Sequence, residues 1–248
     1  MGQVVRYEYI EEGVFQITME ERAARNTFTL PLIHGINDAF DSIKGDKRCK
    51  AVILTGFDNY FCCGGTKDEL MKIFKKEINF NDMTFFTHPL FCEVPVISAM
   101  QGHGIGGGFV FGLYSDFTIL GKENIYTTNF MKYGFTPGMG GTLVVPKRLG
   151  ESIGHEMLFS ARNFRGDELK ERGVNLRVVP KSEVVKEAII LARSLAEKPR
   201  LSLETLKNHL SRELRDNIYE YIAQEVEMHD ITFHEPEVEL RIEKLFGQ

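Results

Sequence analysis

The sequence has no run of about 18 apolar residues, so nothing in it is expected to span a membrane. Its opening residues, MGQVVRYEYIEEG, lack a charged leader followed by an apolar core, so no signal peptide is expected. Arg6 stands where a myristoylation signal needs Ser or Thr. Cysteine is scarce: Cys49, Cys62, Cys63 and Cys92 are the only four, with no CxxC pair. Adjacent Cys62-Cys63 is a poor disulfide, so reduced thiols in a cytoplasm and no zinc site are expected. A basic excess is also missing. Lys+Arg is 30 against Asp+Glu 35, net −5, which argues against nucleic acid as the main partner. No repeat, low-complexity stretch or Pro/Ser-rich linker divides the chain.

What is present suits a globular fold. The chain has 248 residues, 43% of them hydrophobic, and at this length folding hides roughly 70–75% of the unfolded surface. Alternating runs at 4–10 and 14–19 around Gly13 read as a β-hairpin. Thr29 is the expected N-cap of a helix carrying Leu32, Ile36, Ala39, Phe40 and Ile43 on one face. Segments 50–55, 94–100 and 116–120 read as strands, the first two apolar enough to be buried on both faces. Helical patterns at 67–76, 81–91 and 106–114 alternate with them, which implies a parallel-type α/β sheet. After about residue 145 strands nearly stop. Helices are expected at 147–160, at 166–172, from a Ser182 cap to Lys198 with Pro199 as its end, along Leu203, Leu206, Leu210 and Leu214, and from an Asp216 cap onward.

The 23 glycines cluster where chemistry could sit. Segment 101–112 reads QGHGIGGGFVFG, after an apolar strand and before an apolar helix. Such glycines allow tight turns and leave N–H groups free at a helix start. Gly102-x-Gly104-x-x-Gly107 matches a dinucleotide-binding fingerprint, but the expected acidic residue after the next strand is missing. An oxyanion hole for a developing enolate, or tight helix–sheet packing, are the other readings. YFCCGGT at 60–66 and YGFTPGMGGT at 133–142 add two more glycine clusters, too many for packing alone.

KAVILTG at 50–56, FCCGG at 61–65, GHGIGGGF at 102–109, the Asp116 strand and FTPGMGGT at 135–142 together resemble the crotonase (enoyl-CoA hydratase/isomerase) superfamily. KRLG at 147–150, then GDELKERG and VVP at 166–180, continue the pattern. The resemblance implies an α/β fold: a ββα spiral core over about 1–195 and a helical C-terminal trimerisation region over about 196–248, together one domain. It also implies a homotrimer or dimer of trimers. The implied substrate is a thioester on coenzyme A or on the phosphopantetheine of an acyl carrier protein, with no resident cofactor. By position, Gly65 and Gly107 would hold the thioester oxygen as an enolate forms.

Two departures change the expected reaction. Hydratases of this family place glutamates two residues after the triple glycine and seven before the PGxGG proline; here these are Val110 and Phe130. Water addition needs groups to take and deliver a proton, and neither apolar residue can. A dry site with an intact oxyanion hole suits decarboxylation to a dienolate instead. GHGIGGGF, NFMKYGFTPGMGG and MHDITFHEPEV resemble the decarboxylating homologue of polyketide β-branching cassettes. That implies conversion of a 3-methylglutaconyl thioester on a polyketide acyl carrier protein to a 3-methylcrotonyl-type thioester.

The same resemblance implies a functional C-terminal histidine, here His229, with His234 as fallback, and a lysine in the segment 67–82. The aligned positions are Ile73 and Asn79, neither of them lysine, so Lys76, with Lys72 and Lys75 as neighbours, is the candidate. Arg22 and Arg25 lie where the family binds the phosphate end of the carrier arm, and Asn129 could offer a polar contact beside Phe130. His103 reads as a loop brace, Cys62 and Cys63 as small buried residues, and Asp116 as structural. A catalytically silent thioester-binding protein and an enoyl-thioester isomerase are the alternatives.

Overall fold

The structure, a computed structural model, describes residues 3–78 and 84–246. Asn79 and the start of the 81–91 helix lie outside them. The chain opens with the expected hairpin, β1 (Val5–Glu11) antiparallel to β2 (Val14–Met19), turning at Gly13. Helix α1 (Leu30–Gly45) follows, with Thr29 Oγ1 accepting the Leu32 N–H; such a cap is worth about 1 kcal/mol.

A spiral then begins. β3 (Ala51–Thr55), β4 (Tyr60–Cys62) and α2 (Lys67–Phe74) form one turn. After the short α3 (His88–Phe91), β5 (Val96–Met100), β6 (His103–Ile105) and α4 (Gly107–Leu113) form the next. β7 (Phe117–Gly121), β8 (Ile125–Thr127), α5 (Gly141–Leu149) and α6 (Glu151–Ser160) form a third. β9 (Phe164–Arg165), α7 (Gly166–Glu171) and β10 (Arg177–Val179) close it. Each turn leaves one strand in each of two sheets. The larger runs β1-β2-β3-β5-β7-β10 and the smaller β4-β6-β8-β9. From β2 onward the larger sheet is parallel.

Burial on both faces explains the apolar strands. In β3, Val52 and Leu54 enter the main core while Ala51 and Ile53 face α8 (Val184–Ala196). The α8 face is Ala188, Ala192 and Ala196, small residues one turn apart that let the helix lie close on the sheet. The main core gathers residues from Val5 to Ile242, so the C-terminal helices share it with the spiral.

The C-terminal part differs from the expected helices in several ways. Ser182 lies in a 3-10 turn rather than capping α8, which begins at Val184 behind Glu183. Pro199 does more than end a helix: its fixed φ of −58° opens α9 (Arg200–Thr232), as the missing N–H costs nothing there. Asp216 is no cap, because α9 runs unbroken through it for 33 residues. The expected leucine stripe splits, with Leu203 and Leu214 buried and Leu206 and Leu210 exposed. The buried face of α9 carries Lys207, Ser211, Glu225 and His229 among its apolar residues, so apolar period alone misplaces it. Lys207 there meets Asp116 and the Pro89 and Val94 carbonyls. A final helix, α10 (Pro236–Leu245), returns over α2.

Candidate active site

Two glycine turns meet at the C-terminal ends of β4 and β6. Gly64 has φ +74°, and a Cβ there would fall 2.9 Å from the Ile105 carbonyl oxygen and 3.1 Å from the Gly107 nitrogen. On the other turn, a Cβ on Gly108 would lie 2.2 Å from the Cys62 carbonyl oxygen. The turns therefore pack backbone on backbone, at a distance only glycine permits. Gly107 is the first residue of α4, where an N–H has no acceptor within the helix. Gly65 directly precedes Thr66, the N-cap of α2. Both line one cavity of about 40 Å³. Its remaining walls are Phe28, Leu70, Ile73, Phe85, Phe86, Phe130, Met139 and a single ionisable side chain, Glu69.

Of the residues singled out in the sequence, the structure brings Gly65, Gly107 and Phe130 to this cavity. Val110 is fully buried and faces α5 instead, 3.5 Å from where a Gly141 Cβ would be. Asn129 sits against Gly106 and makes a long 3.5 Å contact from Nδ2 to the Tyr133 hydroxyl. Lys72 is exposed because its helix turns Leu70 and Ile73 inward, and Lys75 and Lys76 are exposed just past the end of that helix. Arg25 is exposed over the Tyr60 ring, and Arg22 pairs with Glu20 and Asp58. His234 Nδ1 lies 2.9 Å from the Phe74 carbonyl oxygen, which ties the C-terminal region to the end of α2.

His229 stands one loop behind the cavity. It is 5% exposed, its Nε2 is 2.8 Å from the Thr136 carbonyl oxygen, and its ring abuts Gly138. Burial holds its pKa below the ordinary imidazole value. The loop it supports carries Met139, whose Sδ lies 2.4 Å from where a Gly107 Cβ would be. One turn earlier on α9, Glu225 grips the same loop. Its carboxylate accepts the Gly140 N–H at 2.6 Å, the Thr142 N–H at 2.8 Å and the Thr142 hydroxyl at 2.6 Å. Burial pushes its pKa up to about 7 against the pull of those bonds. Thr232, one turn after His229, contacts the Thr136 hydroxyl at 3.1 Å, and the Tyr114 hydroxyl donates to the Met139 carbonyl at 2.6 Å.

Two further residues, His103 and Asp116, have structural partners. His103 Nδ1 accepts the Ile125 N–H at 3.0 Å and so joins β6 to β8. Asp116 accepts from Val96 N–H and Lys207 Nζ, each at 2.8 Å. Burial pushes the Cys63 thiol up to about 11 and raises Cys62 as well, the opposite of an activated nucleophile. Glu69, Glu225 and Met139 escaped the sequence reading. Glu69 alone left a local signal, because Thr66-x-x-Glu69 is a capping box.

Gly65 and Gly107, each at a helix start beyond one of two parallel strands, face one cavity in a ββα spiral. The chain belongs to the enoyl-CoA hydratase/isomerase family, whose sequence profile matches residues 9–245. It is 50% identical over 244 residues to the bacillaene synthase decarboxylase PksI of Bacillus subtilis (strain 168), spanning 98% of each chain. A solved structure of a dehydratase/decarboxylase enzyme couple involved in polyketide β-branching aligns with TM-score 0.97 and 50% identity, over 99% of this chain and 100% of that one. The ECH2 decarboxylase domain of CurF from Lyngbya majuscula aligns with TM-score 0.96 and 40% identity, over the same shares.

Proposed function

We propose that this protein decarboxylates a carboxylated enoyl thioester in polyketide β-branching. The observation that carries the reading is the apolar cavity faced by Gly65 and Gly107 with Phe130 in its wall. Both positions where a hydratase would carry a glutamate, 110 and 130, are apolar here. The 50% identity to a β-branching decarboxylase supports the same reaction.

Loss of CO2 from a carboxylate vinylogous to the thioester leaves a dienolate, and two N–H donors stabilise its oxygen. Each such donor is typically worth about 100- to 1,000-fold in rate. The apolar walls exclude the water that would compete for those donors. The substrate we assign is a 3-methylglutaconyl group on the phosphopantetheine of an acyl carrier protein, giving a 3-methylcrotonyl-type thioester. No resident cofactor is needed. We assign all 248 residues to one unit, a cytoplasmic homotrimer or dimer of trimers. Exposed Leu201, Leu206 and Leu210 on α9 and Phe159 on α6 are its proposed subunit contacts.

Incubation with 3-methylglutaconyl carrier protein, followed by mass spectrometry of the arm, tests the reaction. The expected result is loss of the mass of one CO2. An arm that stays intact at every enzyme concentration overturns it. The exposure of Lys72, Lys75 and Lys76 favours a second reading, a silent thioester-binding protein. That reading predicts binding of the acylated carrier with no change of mass.

A further inference from the structure

We propose that Glu69 is the acid that delivers the proton to the dienolate carbon. The inference rests on the decarboxylase reading, which needs one proton per turnover at carbon. Glu69 is the one ionisable side chain among the described residues lining the cavity, and it shares that wall with both Gly65 and Gly107. The other candidates lie elsewhere: His229 is behind the Thr136–Met139 stretch, and Lys72, Lys75 and Lys76 are exposed.

The local structure fixes which oxygen can act. Glu69 Oε2 accepts the Thr66 N–H at 3.0 Å and lies 3.0 Å from the Thr66 hydroxyl, while Thr66 Oγ1 accepts the Glu69 N–H at 3.1 Å. This capping box holds the carboxyl group at the first turn of α2, beside the oxyanion glycine, and leaves Oε1 to carry the proton.

The bond changes balance. The carbon–carboxylate bond breaks, its electron pair moves through the vinylogous system to the thioester oxygen, and CO2 leaves. The dienolate then re-forms the thioester carbonyl as carbon takes the proton from Glu69 Oε1. Glu69 is left as a carboxylate and regains a proton from water.

Glu69→Gln tests this in the intact chain, because the amide oxygen still caps Thr66 but no acid proton is available. The expected result is a turnover loss of roughly 100-fold or more. The dissociation constant of the product thioester on its carrier should change by less than about threefold. Thr66→Ala removes the hydroxyl bonded to Oε2 but keeps the carboxyl group, and should lose less than about tenfold, far less than Glu69→Gln. Turnover of Glu69→Gln close to the parent's, or equal losses in Glu69→Gln and Thr66→Ala, overturns the assignment while leaving decarboxylation intact. A parent protein that releases no CO2 overturns the decarboxylase reading, and this assignment with it.

Discussion

His229 Nε2 lies 2.8 Å from the carbonyl oxygen of Thr136, across a loop from the cavity rather than within it. A carbonyl only accepts, so the neutral ring carries its proton on Nε2. The bond fixes the start of the stretch that ends in Met139, and Met139 covers Gly107. His229, Glu225 and Thr232 lie on one face of α9, spaced by four and three residues. Together they clasp the strand-to-helix loop whose shape sets the cavity wall.

His229→Ala should therefore lower turnover more than it weakens thioester binding, since it loosens the wall over the reacting carbon. His229→Gln can still donate to Thr136 and should retain more turnover than the alanine variant. Steady-state kinetics with a parallel binding titration separates the two effects. Parent-like turnover in both variants would return His229 to a packing role.

Glu225 gives the clasp a pH dependence. Burial raises its pKa from an ordinary 4.5 to about 7. Between those values the folded state holds more protons than the unfolded state. Stability from this group is full below about pH 4.5 and lost as pH rises through about 7, a fall of roughly 3 kcal/mol. Glu225→Gln removes that titration. Relative to this variant, the parent's melting temperature should fall between about pH 5 and pH 8. Parallel melting profiles across that range would show that Glu225 does not titrate there.

The spiral was legible because its strands are buried on both faces and its turns need glycine. Both are composition signals that survive in a single sequence. Val52 and Ile53 serve opposite faces of one sheet, yet either way the residue must be apolar. The course of α9 was not legible, because its buried face is partly polar. Lys207, Glu225 and His229 are stabilised by partners 83 to 118 residues away in sequence. Long-range pairing of that kind leaves no periodic trace. Glu69 was missed for a different reason: the family's pattern directs attention to positions 110 and 130, while this carboxylate reaches the cavity from α2.

Gly107 and Met139 should be energetically coupled. A methyl group at 107 would lie 2.4 Å from Met139 Sδ and 2.9 Å from Phe28 Cε2. Gly107→Ala must then displace the thioether or the turn that holds the N–H donor. A loss in kcat/KM of roughly 100-fold is expected, the scale of one misplaced oxyanion donor. Methionine is flexible enough to yield, and a Met139→Ala background removes the tighter of the two contacts, leaving only the one with Phe28. The double variant should recover part of the loss, with a coupling of about 1 kcal/mol or more in a double-mutant cycle. Additive losses would mean that Met139 does not press on the donor.

The exposed lysines in and just after α2 should act on the carrier rather than on the acyl group. The chain carries net charge −5, so an acidic carrier protein has to be drawn by a local basic patch. Lys72 on the outer face of α2, with Lys75 and Lys76 just past the helix end, supplies exposed positive charge, while the inner face of the helix lines the cavity. Steering by exposed charges acts within a Debye length, about 10 Å at 0.1 M salt, and weakens as salt is added. Replacing the three lysines with glutamate should raise KM for the carrier-bound substrate several-fold at low salt and less at high salt. The same acyl group on a short pantetheine thioester should be turned over at the parent rate, because none of the three side chains lines the cavity. A loss of kcat with the pantetheine thioester would instead place one of these lysines at the reacting carboxylate. Individual alanine substitutions would then identify which.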